Sequence, residues 1–360
     1  MNLKESRILH LTNVMDIGGV QKIIYELCEG TRYSFDKIIV ASTGGLYSQK
    51  IETLGINHIV IPDLSTKKIK EIAKLKKILN KIVNDNKINV IHCHHRMAVF
   101  YAKLWFGNLK IIYNNHTIYS DKKFLSKIVL KNTLIIADGV QAKNNITDYF
   151  GIPDKNITII NNAVDKFDGC YTEINSISKA RKNNNFIVMN CSRLHPQKGV
   201  EYFIEAAEIL MKKELHISFF IVGDGPLNEE LCDMVNKKKL DKYVNFMGFR
   251  RDIKNTIKNC DILVQTSIYE GLPLTPMEAF SVGKAVVATD IDGTREVVHD
   301  GINGLLAETK NPASIAEKIE ALYKNRKLLH ELEQGAANSF EREFCADVMI
   351  KKYIQFYDKC

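Results

Sequence analysis

The chain has 360 residues, a mass of 41.0 kDa and a formal net charge of +8, and 45% of its residues are hydrophobic. This apolar content excludes a disordered chain, and the length predicts two domains at ~150 residues per domain. The absence of any run of ~20 apolar residues excludes a membrane-spanning helix, charges near the start disfavour a secretory signal, and scattered cysteines without a C-x-x-C pair fit a reducing cytosol.

Apolar runs alternate with helical patterns along the whole chain. In the first half we predict strands at 7–14, 36–42, 88–94, 109–115, 133–138 and 156–161, and helices at 20–29, 66–84, 95–106 and 139–149. In the second half we predict strands at 185–191, 216–223, 243–248, 261–266 and 284–289, and helices at 200–213, 226–239, 250–259, 276–282, 312–325 and 327–340. Continuous apolar strands in βα order are typical of a parallel sheet covered on both faces.

The fold class predicted from this order is α/β, with two Rossmann-like, doubly wound parallel-sheet domains facing across a cleft. Ligands of such sheets bind beyond the carboxyl ends of the strands, so we expect the site there. A polar segment without periodicity separates the halves. We therefore predict a first domain at 1–168, a linker at 169–184, a second domain at 185–340 and a C-terminal helix at 341–360 that can return to the first domain.

The positive charge is concentrated in the first half of the chain, above all in 66–87, where lysines alternate with apolar residues at near-helical spacing. The simplest interpretation is a surface helix with a solvated face. Alternatively, this face rests on an anionic membrane or a phosphorylated substrate, through Lys67, Lys70, Lys74 and Lys77. Nucleic acid is disfavoured as a partner, because no arginine-rich tract or known binding module accompanies the lysines.

Two cations stand just before a predicted helix in the second half. The strand at 185–191 is followed by the segment 192–199, which contains Arg193 and Lys198, and the helix begins near Val200. Because a helix amino terminus is itself partially positive, these cations are unfavourable there unless an anion binds too. We therefore predict a phosphate site, which requires that no neighbouring acidic side chain already neutralises the cations. The alternative is two solvated loop cations.

A second candidate segment runs from Glu270 to Phe280. Thr275, Pro276 and Glu278 read as the N-cap, the first helical position and the capping-box glutamate of a helix. Glu278 can also hold a vicinal diol, as acidic residues do for ribose in dinucleotide folds. Glu270 precedes a glycine outside the helix and has no capping role, so it is a candidate for substrate contact.

The remaining candidates lie in the first half. Gly18 and Gly19 follow the first strand and either form a tight turn or let main chain approach a ligand. His92, His94 and His95 cluster like metal ligands, but His92 and His94 alternate along a strand while His95 faces the other way. Buried-strand and rim positions are therefore favoured over zinc, and we predict no metal site.

Together these motifs resemble family-four retaining glycosyltransferases of the GT-B type. The resemblance rests on Ser192-Arg193-Leu194-x-x-x-Lys198-Gly199, on the E-x7-E spacing from Glu270 to Glu278, and on Gly18-Gly19. It implies catalytic roles for Glu270, His116, Arg193 and Lys198. It also implies donor contacts at Gly18, Gly19, Arg193, Lys198, Phe249, Arg250, Glu270, Leu274, Thr275 and Glu278.

The resemblance assigns a role to each position. Arg193 and Lys198 would neutralise the donor diphosphate, and Glu270 and Glu278 would contact the donor sugar and the ribose. His116 would lie near the transferred sugar. Main chain at Gly18 and Gly19, and N–H groups of Leu274 and Thr275, would approach the phosphates, while Phe249 and Arg250 would border the base. The chain departs from the family pattern in 290–296, where one glycine of a Gly-Gly pair is missing.

The implied function is retaining transfer of a hexosyl unit from a nucleoside-diphosphate sugar, with UDP favoured, in bacterial surface polysaccharide synthesis. The acceptor would be a saccharide or a polyprenyl-pyrophosphate-linked saccharide at the inner face of the cell membrane, which fits the basic first half. We expect no metal and no cofactor. Two alternatives stay open: a nucleotide-sugar epimerase on the same fold, and a non-catalytic binding partner of another transferase.

Overall fold

The computed structural model describes residues 2–360 and divides them into two compact units. The first unit comprises the residues up to Asn162 together with Ala346–Cys360, and the second comprises Ala163–Cys345. The chain therefore passes from the first unit to the second at 162–163 and returns to the first at 345–346. The sequence analysis placed these domain ends at 168 and 340.

The first unit contains a seven-stranded sheet in the order β3-β2-β1-β4-β5-β6-β7, and every neighbouring pair of strands is parallel. The strands are β1 (Arg7–Leu11), β2 (Lys37–Ser42), β3 (Asn57–Val60), β4 (Val90–Cys93), β5 (Lys110–Asn115), β6 (Leu134–Ala137) and β7 (Ile157–Ile159). The helices between them are α1 (Gly19–Thr31), α2 (Leu46–Thr53), α3 (Ile69–Asp85), α4 (Arg96–Phe106), α5 (Lys123–Leu130) and α6 (Val140–Asn144).

The second unit contains a six-stranded sheet, also with every neighbouring pair parallel, in the order β10-β9-β8-β11-β12-β13. The strands are β8 (Phe186–Cys191), β9 (Ile217–Val222), β10 (Val244–Phe246), β11 (Ile262–Gln265), β12 (Val286–Thr289) and β13 (Gly304–Ala307). The helices are α7 (Asn175–Lys182), α8 (Val200–Met211), α9 (Asn228–Lys237), α10 (Ile253–Lys258), α11 (Leu274–Phe280), α12 (Asp292–Arg295), α13 (Pro312–Lys324) and α14 (Arg326–Ser339).

The predicted fold class is confirmed, because both sheets are parallel, covered by helices and doubly wound. The pattern of α8 illustrates why these helices pack on a sheet. Val200, Phe203, Ile204 and Leu210 recur at helical spacing and are buried against the apolar strands of the second unit. In each sheet the strand order reverses once, between β1 and β4 and between β8 and β11, and such switch points are where doubly wound sheets bind ligands.

Six elements were not predicted from the sequence: the edge strands β3 and β13 and the helices α2, α5, α7 and α12. Edge strands are short and carry few apolar residues, as the half-exposed pattern of β3 shows, so their periodic signal is weak. The four missed helices have at most eight residues each, which is too few turns for a clear periodic signal.

The segment predicted as a linker, 169–184, is docked on the second unit and contains α7. Asn255 accepts a hydrogen bond from the Thr172 N–H at 2.8 Å, and Asn259 accepts from the Ile174 N–H at 3.2 Å. Side-chain amides thus satisfy main-chain groups that a free linker would leave to water.

The C-terminal segment begins with a π-helical turn, Phe340–Phe344, and continues as the helix α15 (Ala346–Lys359). This helix belongs to the first unit and packs on α1, where Met349, Tyr353 and Tyr357 are buried. The expectation that the C-terminal helix returns to the first domain agrees with this division. Among residues 2–360 no helix combines the length and the apolar character needed to cross a bilayer.

Candidate active site

The switch point of the second sheet brings the loops that carry three of the predicted donor residues together. Arg193 and Lys198 lie in the loop that follows β8, and Glu270 lies in the loop that follows β11. Because β8 and β11 are adjacent and parallel, their carboxyl ends lie side by side. The two loops therefore meet although they are distant in the sequence.

Hydrogen bonds and one glycine hold the two loops together. The Ile268 N–H donates to the Gln197 carbonyl at 2.8 Å, and the Thr266 hydroxyl donates to the Lys198 carbonyl at 3.0 Å. Gly199 has a φ of +57°, and a Cβ there would lie 2.4 Å from the Thr266 carbonyl oxygen. Both the left-handed backbone and the close approach require glycine at this position.

Lys198 and Glu270 form an ion pair between these loops, with Nζ 2.5 Å from Oε1. The Ser267 hydroxyl donates to the same oxygen at 2.6 Å, whereas the closest donor to Oε2 is the Gln197 amide at 3.5 Å. The Glu270 side chain is only 9% exposed, so this pair is shielded from water. Oε2 is consequently the oxygen of Glu270 with unused acceptor capacity.

This ion pair corrects one expectation from the sequence. The prediction of a phosphate site required that no carboxylate neutralises Arg193 or Lys198. For Lys198 this expectation is wrong, because Glu270 is its ion-pair partner. Arg193 meets the requirement: its side chain is exposed and makes no hydrogen bond or ion pair within residues 2–360. The physical reason is the strand order, which places Glu270 beside a lysine 72 residues earlier.

The helix α11 begins two residues earlier than predicted, at Leu274 instead of Pro276. Its N-cap is Pro273, with no side-chain cap, so the expected capping role of Thr275 is wrong. Pro276 is tolerated because N–H groups of the first turn have no intrahelical acceptor. For the same reason the N–H groups of Leu274 and Thr275 are not used by the helix. Glu278 lies near the end of β8, where burial, Cys260 and then Glu278 raise the pKa of the Cys191 thiol.

Phe249 and Arg250 follow β10, next to the carboxyl end of β9. The Gly223 N–H donates to the Gly248 carbonyl at 2.9 Å, and Gly248 turns the chain with a φ of +67°. Phe249 is 56% exposed and is thus free to stack on a planar ring. The Arg250 guanidinium instead binds Asp252 through two hydrogen bonds, at 3.0 and 2.7 Å, which lower the pKa of the Asp252 carboxyl.

The loop after β12 packs on the backbone of Glu270. A Cβ at Gly293 would lie 2.2 Å from the Gly271 carbonyl oxygen and 2.5 Å from that of Glu270. Gly293, the single glycine of the 290–296 segment, therefore stands where the main chain of Glu270 and Gly271 leaves no room for a side chain. Two carboxylates of the same loop, Asp290 and Asp292, hold Arg295 in ion pairs of 2.5 and 3.0 Å.

Gly18 and Gly19 lie after β1, at the switch point of the first sheet, and Gly19 opens α1. Gly18 has an extended φ of 172°, so its conformation does not itself require glycine. A second Gly-Gly pair, at 44–45, supports this loop and was not singled out from the sequence. Gly45 has a φ of +139°, and a Cβ there would lie 2.4 Å from the main chain of Met15.

His116 belongs to a chain of hydrogen-bonded side chains in the first unit. The Tyr353 hydroxyl donates to Asn114 Oδ1 at 2.5 Å, and Asn114 Nδ2 lies 3.3 Å from His116 Nδ1. His116 Nε2 lies 3.1 Å from His94 Nδ1, and His94 Nε2 lies 3.0 Å from His10 Nδ1. The helix α15 thus contacts the network that holds His116, which no sequence motif indicated.

The direction of these hydrogen bonds determines which ring nitrogen of each histidine carries the proton. Because Tyr353 donates to Oδ1, Asn114 turns its NH₂ group towards His116, whose Nδ1 accepts. His116 then carries its proton on Nε2 and donates to His94, and His94 in turn donates to His10. Burial lowers the pKa of His10 and of His116 to about 3, so all these rings are neutral near pH 7.

Three buried histidines of this unit, His10, His92 and His94, offer nitrogen atoms that lie within 4.8 Å of one another. His10 and His92 are paired residues of the adjacent strands β1 and β4, so the cluster differs from the His92, His94 and His95 set considered from the sequence. His95 instead caps α4 and accepts from the Met97 N–H. The hydrogen bond between His10 and His94 already uses one nitrogen of each ring.

Two family models match the chain. The model described as Glycosyltransferase Family 4 matches residues 17–166, and the model described as Glycosyl transferases group 1 matches residues 172–339. Together they cover nearly all of both units.

Relatives and solved structures agree with these matches. The N,N'-diacetylbacillosaminyl-diphospho-undecaprenol alpha-1,3-N-acetylgalactosaminyltransferase of Campylobacter jejuni is 27% identical over 350 residues, which are 90% of this chain and 91% of that protein. The UDP-Gal:alpha-D-GlcNAc-diphosphoundecaprenol alpha-1,3-galactosyltransferase of Escherichia coli is 26% identical over 329 residues, 84% of each chain. The crystal structure of Anabaena Alr3699/HepE in complex with UDP shares the fold, with a TM-score of 0.85, 21% identity, and coverage of 98% of this chain and 100% of that one. The chain therefore belongs to the family-four-like glycosyltransferases of the GT-B type and is a hexosyltransferase.

Proposed function

We propose that this glycosyltransferase moves a hexosyl unit from a nucleoside-diphosphate sugar, with UDP favoured, to a lipid-linked saccharide, and that it retains the configuration at the anomeric carbon. The observation that carries the proposal is the contact between Lys198 and Glu270 at one switch point, in a loop that also carries the exposed Arg193. Two relatives named for diphospho-undecaprenol acceptors, one of them also for a UDP-sugar donor, support the choice of substrates.

The ion pair between Lys198 and Glu270 is compatible with diphosphate binding. An ammonium group has three N–H donors, and Glu270 uses one of them, so two remain for phosphate oxygens. Arg193 would add an unpaired cation, and the first-turn N–H groups of α11 would add further donors. Glu270 would orient Lys198 through Oε1 and offer Oε2 to a sugar hydroxyl.

The proposed reaction breaks the bond between the anomeric carbon and the donor phosphate oxygen. The acceptor hydroxyl attacks the same face, and its proton passes to the departing phosphate. Negative charge grows on the nucleoside diphosphate, and cations placed beforehand stabilise it without reorganisation. Glu278 would hold the ribose, Phe249 would border the base, and His116, held between Asn114 and His94, would lie near the transferred sugar. Gly18 and Gly19 would bring main chain near the phosphates.

The proposed pathway is bacterial surface polysaccharide synthesis, with the enzyme working at the cytoplasmic face of the cell membrane. The basic first half of the chain would attract a pyrophosphate-linked acceptor and anionic lipids. The relatives named for lipid-linked acceptors support this setting.

A panel of UDP- and GDP-sugars tests the proposal. The enzyme is incubated with each donor and a polyprenyl-pyrophosphate-linked saccharide, and both the nucleotide released and the glycosylated lipid are measured. Transfer with one donor and retained configuration in the product supports the proposal. Donor consumed without any sugar transferred would indicate an epimerase or a hydrolase instead, and absence of nucleotide binding by calorimetry would indicate a non-catalytic chain.

A further inference from the structure

The helix α5 presents large apolar side chains to solvent. Phe124 is 74% exposed, Leu125 61% and Ile128 56%, although the helix has only eight residues. Its buried positions are Ser126 and Leu130. A helix that buries a serine and exposes a phenylalanine is not arranged for contact with water on its outer face.

The neighbouring helix α4 also exposes apolar side chains. Arg96 Nη1 donates to Ser126 Oγ at 2.9 Å, and Lys103 Nζ donates to the Lys131 carbonyl at 2.5 Å, so these two residues mark the side of α4 that contacts α5. Phe100 and Leu104 follow Arg96 at four-residue spacing on that side, and both are exposed. We call the surface formed by Phe100, Leu104, Phe124, Leu125 and Ile128 the α4–α5 patch.

Positive charge surrounds the α4–α5 patch. Four exposed lysines flank or belong to α5: Lys122, Lys123, Lys127 and Lys131. The acidic residue of this stretch, Asp121, is paired with Arg96 at 2.5 Å. Large exposed apolar side chains on two neighbouring helices mark a site of interaction, and the lysines beside them select a partner with negative charge.

The helix α3 carries lysines that the sequence analysis considered for contact with an anionic membrane. Unlike α5, this helix buries its apolar face. Its apolar residues Leu75, Leu79, Ile82 and Val83 are buried in the core of the first unit, and Ile69, at its first position, is its one large apolar side chain that is exposed. Lys70, Lys74 and Lys77 therefore cover a face that has no apolar row to insert into a bilayer. Lysines alone are attracted to an anionic surface, but apolar side chains at the same place are what hold a helix in the interface.

We propose that the first unit docks on an anionic lipid bilayer through the α4–α5 patch, with Phe124, Leu125 and Ile128 inserted at the level of the headgroups. The lysines then lie beside lipid phosphates, and α5 lies in the membrane plane. A helix of eight residues is about 12 Å long, so it rests in the interface and does not cross the bilayer. The purpose of this docking rests on the proposed lipid-linked acceptor, but the docking itself needs neither donor nor acceptor.

Cosedimentation with vesicles tests the surface directly. The full chain is mixed with vesicles of phosphatidylethanolamine and phosphatidylglycerol, and with vesicles of phosphatidylcholine alone. We expect binding to the anionic vesicles only. The variant Phe124→Ser, Leu125→Ser, Ile128→Ser is expected to bind about tenfold or more weakly, since it removes the apolar contact but keeps all charges.

Two further variants separate charge from apolar contact. Lys122→Gln, Lys123→Gln, Lys127→Gln is expected to lose about fivefold in affinity for each lysine and most of its salt dependence. The matched control on α3, Lys67→Gln, Lys70→Gln, Lys74→Gln, Lys77→Gln, removes more charge and is expected to change binding much less. If the α3 variant loses binding while the serine variant keeps it, the proposal is overturned.

A tryptophan reporter keeps the test independent of folding losses. Trp105 is the only tryptophan, so Phe124→Trp in a Trp105→Phe background places one indole in the patch. Its emission is expected to shift to the blue when anionic vesicles are added, whereas an indole placed by Lys74→Trp should not respond. An unshifted emission at position 124 would contradict insertion.

Two other outcomes are informative. If the wild-type chain is a dimer and the serine variant a monomer that still binds vesicles, the α4–α5 patch is a contact between copies and the proposal is wrong. Donor turnover with a water-soluble acceptor, measured in the same variants, separates the two proposals. Normal turnover with lost vesicle binding supports docking, while absent turnover in the wild type counts against the proposed function alone.

Discussion

Lys198 and Glu270 are joined by an ion pair across two loops, with Nζ 2.5 Å from Oε1, although 72 residues separate them in the chain. The pair stands where β8 and β11 end, beside the first turns of α8 and α11. A lysine held in this way is positioned before any ligand arrives, which reduces the rotamer entropy that binding would otherwise cost. The first two predictions concern this pair.

Lys198→Ala is expected to lower kcat by on the order of 10²–10³, because a fixed positive group near the leaving phosphate is removed. The variant is measured in steady state with the donor identified in the panel, and circular dichroism checks that it is folded. Turnover within a few-fold of the wild type would refute a role for Lys198 in the departure of the nucleoside diphosphate.

Glu270→Gln tests whether the carboxylate acts on Lys198 or on the sugar. The amide keeps the shape of the side chain but loses the charge that holds Nζ. If Glu270 only positions Lys198, affinity for UDP in calorimetry should fall, because Lys198 is proposed to contact the diphosphate. If Oε2 contacts the sugar, affinity for UDP should stay near that of the wild type and kcat with the full donor should fall.

Gly293→Ala is expected to disturb Glu270 from a distance in the sequence. The new Cβ would meet the carbonyl oxygens of Gly271 and Glu270 at 2.2 and 2.5 Å, so the main chain must shift. Overpacking of this kind costs about 1–3 kcal/mol of unfolding free energy. We expect a lower melting temperature together with weaker donor turnover, and a variant with unaltered values of both would exclude the close packing seen here.

Tyr353→Phe is expected to remove the hydrogen bond that orients Asn114 and thereby fixes the tautomer of His116. Without the hydroxyl, Asn114 Oδ1 loses its donor and the amide is free to rotate, so the Nδ1 of His116 loses its fixed partner. Nitrogen NMR of the histidine rings should report a mixture of His116 tautomers, and the unfolding free energy should fall by about 1–3 kcal/mol. Tyr357→Phe is the matched control, since its hydroxyl contacts His92 at 2.7 Å and not Asn114.

Stability is expected to fall as the pH is lowered from neutral. Burial lowers the pKa of His10 from 6.5 to about 3, so the folded state excludes a proton that the unfolded state takes up. Above pH 6.5 the neutral His10 costs the folded state nothing. Between pH 6.5 and 3 the unfolding free energy decreases by about 1.4 kcal/mol per pH unit because of this histidine. The unfolding free energy, measured by urea unfolding at several pH values, should depend less steeply on pH in His10→Gln than in the wild type. Equal pH dependence in the two proteins would contradict a neutral His10.

The sequence predicted both sheets because the signal for a buried parallel strand is local. A continuous apolar run such as 185–191 between helical patterns is sufficient to indicate a strand, and the loops that follow such strands are where doubly wound sheets carry their ligands. Arg193, Lys198 and Glu270 could therefore be chosen as candidates from their positions, whereas their proposed roles come from the family resemblance. The weak periodic signal at β3 and β13 explains why both edge strands were missed.

What the chain contributes locally and what the fold decides are separable in this protein. Local patterning determined the doubly wound architecture and the loops that carry the candidate residues. The tertiary structure decided that Glu270 neutralises Lys198, that His10, His94 and His116 share one hydrogen-bonded chain with Asn114 and Tyr353, and that α5 leaves its apolar residues in solvent. Each of these depends on the order of strands in a sheet or on which helix covers which face, and both are set by contacts between segments far apart in the chain, which periodicity within a segment does not encode.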